Sequence, residues 1–197
     1  AGYGALSLGA EQRNFAVVKL TPSGQIDATF SPGGSDGDGR VLISFQAGTP
    51  LGNEATAITV QSDGKIIVGG IAGSTTTSGN VAFARLTANG ALDATFRAGG
   101  KLDISYSPNN DYINDLAIDA NDRIVVTGIA ANAGSTDRIL VARYLANGSD
   151  DTSFSGDGVV IGTGSADFFK GNGHERGHAL AIQSDGKIVI AGDVVSA

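Results

Sequence analysis

Much of this chain's character lies in what it lacks. It holds no cysteine, methionine or tryptophan, four prolines, and only 8 Phe and 4 Tyr in 197 residues. Without Cys there is no disulfide framework, no thiolate metal site and no cysteine nucleophile. Charge is sparse and unbalanced: 13 Lys and Arg against 20 Asp and Glu leave a formal charge of −7. That balance argues against a nucleic-acid partner, because neutralising phosphates takes clustered Lys and Arg. No apolar run approaches the ~18 residues of a membrane span, and no charged-then-apolar start reads as a retained signal peptide. The missing Met leads to the expectation of a processed mature protein or a segment of a longer one, with the segment favoured. Glycine, by contrast, is abundant at 30 residues, about twice the usual share of about 7%. The chain is therefore turn-rich.

Three blocks recur in one order. Asp63-Gly64-Lys65-Ile66-Ile67-Val68 returns as Asn121-Asp122-Arg123-Ile124-Val125-Val126, then as Asp185-Gly186-Lys187-Ile188-Val189-Ile190, at spacings of 58 and 64 residues. Gly24-Gln25-Ile26-Asp27-Ala28-Thr29-Phe30 matches Gly90 to Phe96 and Gly148 to Phe154. Ahead of each stands an apolar run ending in a base and an apolar residue: Lys19-Leu20, Arg85-Leu86 and Arg143-Tyr144. These blocks define units of approximately 1–70, 71–128 and 129–197 within a single repeat domain.

Each unit reads as four short strands. Asp-Gly between two β-rich runs is a hairpin signal, since glycine accepts the positive φ of the turn. The Ile66-Ile67-Val68 and Ile188-Val189-Ile190 runs do not alternate with polar residues, so these strands are expected to be covered on both faces. No segment carries helical periodicity with caps. The fold class is therefore all-β, built as β-propeller blades from three four-stranded repeat units. A stacked β-solenoid and a two-sheet sandwich are the runners-up. Closed propellers have about four to eight blades, so this is a partial propeller, completed by more repeats or by another copy.

The ordered blocks Phe15 to Leu20, Gly24 to Phe30, Ala57 to Gln61 and Ser62 to Gly70 resemble the bacterial delta-60 repeat of secreted and surface proteins. The resemblance implies a propeller architecture and an exported, extracellular or cell-surface setting, and it carries no shared catalytic set. The middle unit departs from the pattern at Asn121-Asp122-Arg123 and Asp115-Leu116.

Three candidate sites follow from residue types. His174-Glu175-Arg176-Gly177-His178 spells the H-E-x-x-H zinc signature, which needs a helix to bring both histidines to one metal, with the Glu as general base. Here it leads into a strand, where residues four apart stand about 13 Å from each other. A long loop ending at the strand's first residue, His178, is expected; if a zinc binds, His174 and His178 are its first ligands. Asp36 and Asp38, in the Gly-rich Ser35 to Gly39 turn, are the candidates for calcium. Lys19, Arg85 and Arg143 each lie eight positions before Asp27, Asp93 and Asp151, which predicts an ion-pair clasp in every blade.

The functional expectation is a non-catalytic module for binding, adhesion or scaffolding, with no catalytic residues and no cofactor. Its partners are a protein, a glycan, or neighbouring repeats or subunits meeting the open blade flanks. The length-variable loops at Ile71–Asn80, Ile129–Arg138 and Ser165–His178 are the expected contact surface. The competing class is a propeller enzyme acting on polysaccharide, or a metal-dependent hydrolase using His174, Glu175 and His178.

Overall fold

The computed structural model describes residues 2–5, 13–34, 37–45, 52–73, 79–97, 99–131, 136–162, 168–169 and 173–195. All its regular elements are strands: β1 (Gly2–Ala5), β2 (Arg13–Val18), β3 (Arg40–Ile43), β4 (Glu54–Val60), β5 (Ile66–Gly73), β6 (Gly79–Leu86), β7 (Lys101–Ile104), β8 (Asp111–Ile118), β9 (Ile124–Ala131), β10 (Asp137–Tyr144), β11 (Val159–Ile161), β12 (Glu175–Ile182) and β13 (Ile188–Val194). They form four antiparallel sheets, ordered β1-β2-β3, β4-β5-β6-β7, β8-β9-β10-β11 and β12-β13. The two central sheets are complete four-stranded blades. Each blade starts at a first strand, whereas the sequence units begin inside a second strand, so one sequence unit is shared between two blades.

The hairpins close as the Asp-Gly signal requires. Gln61 and Lys65 exchange a backbone bond at 2.8 Å, Asp119 and Arg123 one at 3.0 Å, and Gln183 and Lys187 one at 2.8 Å. The tip residues Gly64, Asp122 and Gly186 all have positive φ. Asp122 holds this left-handed position without being glycine, and its carboxylate accepts the backbone N–H of Ser62 at 3.0 Å on the previous blade. The middle unit's departure thus ties two hairpin tips together. Asp115 serves similarly, accepting the Leu180 N–H of the following sheet at 2.8 Å.

A bulge recurs at the same place in all three first strands: between Ala55 and Ala57, Ile113 and Asp115, and Gly177 and Ala179. The residue it extrudes reaches the next sheet: Thr56 Oγ1 donates to the carbonyl of Ile113, and Asn114 Nδ2 to that of Gly177 at 2.7 Å.

Cores lie between blades, because each sheet is apolar on both faces. Ile67, Phe83, Ile113, Val126 and Leu140 fill the space between the two complete blades, and Phe15, Phe30, Val68 and Leu86 the space before them. Each such side chain contributes about 1.5–3 kcal/mol on leaving water. Ile67 and Val68 are both buried, as expected for a doubly covered strand, but the matching Val189 of β13 is exposed. Composition alone could not separate them. Burial of that strand depends on a further layer outside it.

Candidate functional site

The recurrent charges form a clasp at the turn between the third and fourth strands. Lys19 Nζ lies 3.5 Å from Asp27, Arg85 Nε 2.9 Å from Asp93, and Arg143 Nε 2.7 Å from Asp151. Each carboxylate also accepts the backbone N–H and hydroxyl of the residue two positions on, Thr29, Thr95 or Ser153. The same bases lie over Phe30, Phe96 and Phe154 at 5.6, 4.9 and 4.8 Å from the ring centroids. Hydrogen bonds from Thr29 and Ser153 hold Asp27 and Asp151 below the usual carboxylate range. Burial alone would raise Asp93, but the Thr95 bonds and the neighbouring Arg85 and Lys65 charges outweigh it. Acids so engaged lock a turn. They are not poised for chemistry.

The H-E-x-x-H segment begins its strand at Glu175, three residues earlier than the sequence reading placed it. Its two histidines are held separately. His174 Nδ1 accepts the backbone N–H of Asp137 at 3.2 Å, which places the ring proton on Nε2. His178 Nε2 is bonded to the carboxylate of Asp193. Glu175, which a hydrolase would need as a solvent-reaching base, is fully buried with Arg138 3.8 Å away.

What the segment builds instead is a polar cluster centred on Arg176 and its two aspartates. Arg176 Nε lies 2.6 Å from Asp137, and Arg176 Nη1 3.9 Å from Asp193. The resulting order is His174, Asp137, Arg176, Asp193, His178, and the Tyr112 phenol of the preceding blade is near enough to feel the charges of Asp137, Arg176 and Asp193. The bond to Asp137 raises the Arg176 pKa further, so its charge is permanent. Burial, followed by the charge of Asp137, raises the Tyr112 phenol. Apart from Asp137, which is more enclosed, the members of the cluster are substantially exposed. The cluster stands at the ends of β8, β10, β12 and β13, the end where Ile129–Arg138 and Ser165–His178 connect strands. It presents carboxylate acceptors, guanidinium and imidazole donors and an aromatic ring within one patch.

Four segments of the chain, residues 2–30, 61–96, 120–154 and 183–197, match the domain of unknown function (DUF5122) beta-propeller. Together they span more than half of its length. The chain belongs to the DUF5122 β-propeller family. No curated protein matches it. Three of the matched segments run up to Phe30, Phe96 and Phe154, and so contain every member of the clasps. Tyr112, His174, Arg176 and His178 lie outside the segments that define this DUF5122 propeller.

Asp36 lies outside the described residues. Asp38 accepts the backbone N–H of Gly33 at 2.7 Å and so closes its own turn. Among the described residues of the DUF5122 chain, no three His, Cys, Asp or Glu side chains converge as a metal site, and no helix is long and apolar enough to cross a membrane. Sequence reasoning missed Asp111, which is buried and gathers the N–H groups of Tyr106 and Ser107 at 2.6 and 2.8 Å. Burial raises its pKa. Its equivalents Asn53 and Glu175 are also buried, so a polar residue at or just before the start of each first strand was the available signal. The Asp137–Arg176 and Asp193–His178 contacts had no such signal, because they join residues 39 and 15 positions apart.

Proposed function

We propose that this chain is a non-catalytic binding module, a delta-60-type propeller exported to the bacterial surface or beyond, whose ligand is a glycan. The observation that carries the reading is the half-exposed chain of His174, Asp137, Arg176, Asp193 and His178 beside Tyr112. Paired carboxylates and nitrogen donors suit a ligand rich in hydroxyls, which offers both donors and acceptors, and an aromatic ring supplies a face for sugar C–H groups. The family segments support the same division of labour: the clasps fall inside them and most of this patch outside. Apart from His174 the patch lies at the ends of strands, beside the connections, and the loop-bearing end of a rigid scaffold is a usual place for a binding surface.

The test is a glycan array probed with the purified chain, followed by titration of any hit against Arg176→Ala and Tyr112→Ala. Binding that weakens about tenfold or more in both variants supports the reading. A hit that both variants retain moves the ligand elsewhere. Absence of any hit, alongside capture of a protein by the same patch, makes this a protein-binding module instead.

A further inference from the structure

Neighbouring blades converge on their first strands. Thr56 of β4 reaches the Ile113 carbonyl of β8, Asn114 of β8 reaches the Gly177 carbonyl of β12, and Asp115 accepts the Leu180 N–H. The propeller axis therefore runs beside β4, β8 and β12. The bulge that all three share fixes their common register. Glu54, Tyr112 and Arg176 occupy one equivalent position, directly before the residue at which the bulge opens. In each strand the residues on either side of it are buried, while the position itself is only partly covered.

Further along the same strands the repeat is strict. Ile58, Leu116 and Leu180 share one position, and Val60, Ile118 and Ile182 another, apolar in every blade. At the loop-bearing end the same three strands present a carboxylate, a phenol and a guanidinium in turn. A position that only shaped the sheet would repeat its chemistry as the apolar ones do. Tyr112 is near enough to the following blade to feel the charges of Arg176 and Asp193. By the shared register, Glu54 stands to Tyr112 as Tyr112 stands to Arg176. Among the described residues, no ion pair or hydrogen bond engages the Glu54 carboxylate.

We propose that this row extends the binding surface across three blades, and that it takes the internal stretch of a linear oligosaccharide. The inference rests on the glycan reading and deepens it. Along the row, Glu54 accepts hydroxyl protons, Tyr112 offers a ring face to sugar C–H groups, and Arg176 donates to hydroxyl oxygens. Facing sheets lie about 10 Å apart, so two blade-to-blade steps extend up to about 20 Å. A single terminal sugar fits beside Arg176. Only a chain of several units meets all three groups.

The probes are linear oligomers of glucose and of N-acetylglucosamine, each as disaccharide, tetrasaccharide and hexasaccharide. Affinity for one series should climb with length, and its hexasaccharide should shield the Glu54 carboxylate from carbodiimide labelling where the disaccharide does not. Glu54→Gln, a change at a partly covered residue whose folding a thermal melt checks, should weaken the hexasaccharide about tenfold, the loss of one hydrogen bond to a charged acceptor. Equal affinity at all lengths with Glu54 still labelled overturns the proposal and leaves the glycan reading standing, as does a glycan-array hit confined to terminal or branched sugars. No binding to any glycan removes both.

Discussion

The ring of Phe96 lies so close to Gly148 of the following blade that a Cβ there would come within 2.6 Å of it. Gly148 also has φ 86°, so two separate constraints keep the position bare. Gly186 shares the positive φ but has nothing within 4 Å. Gly148→Ala should therefore cost about 2–4 kcal/mol, backbone strain plus overpacking against a buried ring. Gly186→Ala should cost about 1 kcal/mol, strain alone. Urea unfolding of the two variants measures the difference, and equal losses would remove the Phe–Gly contact from the account.

The three clasps should differ in strength with burial. Arg85 is 5% exposed in its side chain and Lys19 is 44%. Removing one partner of a buried pair strands the other, at about 3–5 kcal/mol, whereas an exposed pair is worth under about 1 kcal/mol. Arg85→Met is expected to destabilise far more than Lys19→Met in thermal or urea melts.

Acid should loosen the clasps together. Asp27, Asp93 and Asp151 titrate below their ordinary value in the folded chain. Their contribution is complete above the unfolded aspartate pKa of about 3.9 and is lost as pH falls through the lower folded values. Asp111 runs the other way, since burial raises its pKa. It is outnumbered. Unfolding free energy should fall steadily below about pH 4, and Thr95→Ala should reduce that pH dependence by returning Asp93 toward its ordinary value.

Alkali should act through Tyr106 and Tyr144, whose hydroxyls bond each other across two blades. Burial pushes the Tyr106 phenol up to about 12 and raises Tyr144 well above its usual value. Between the unfolded pKa of about 10 and these values only the unfolded chain ionises, so stability is lost as pH rises. Phenolate absorbance should show both tyrosines ionising late. Tyr144→Phe should cost about 1 kcal/mol at neutral pH and flatten the alkaline loss.

The clasps were legible because their logic is local: base, acid and Phe sit within a dozen residues, and the pattern occurs three times. The hairpins were legible because Asp-Gly turns depend on φ at one residue. The H-E-x-x-H motif relies on a helical backbone, and the sequence already led this segment into a strand; only the strand's start, at Glu175 and not His178, differed. Spacing of four implies shared metal ligands only on a helix, and here His174, just before β12, meets Asp137 while His178 within it meets Asp193.

By itself, then, the sequence determined the all-β class, the repeat and the chemistry of each turn, since these depend on neighbours along the chain. Tertiary structure alone decided where one blade ends and the next begins. It decided that Ile67 is buried while Val189 is not, and that Arg176 lies between two aspartates from different strands. Those outcomes depend on which sheet stands alongside, and periodicity within a strand carries no record of what packs against its face.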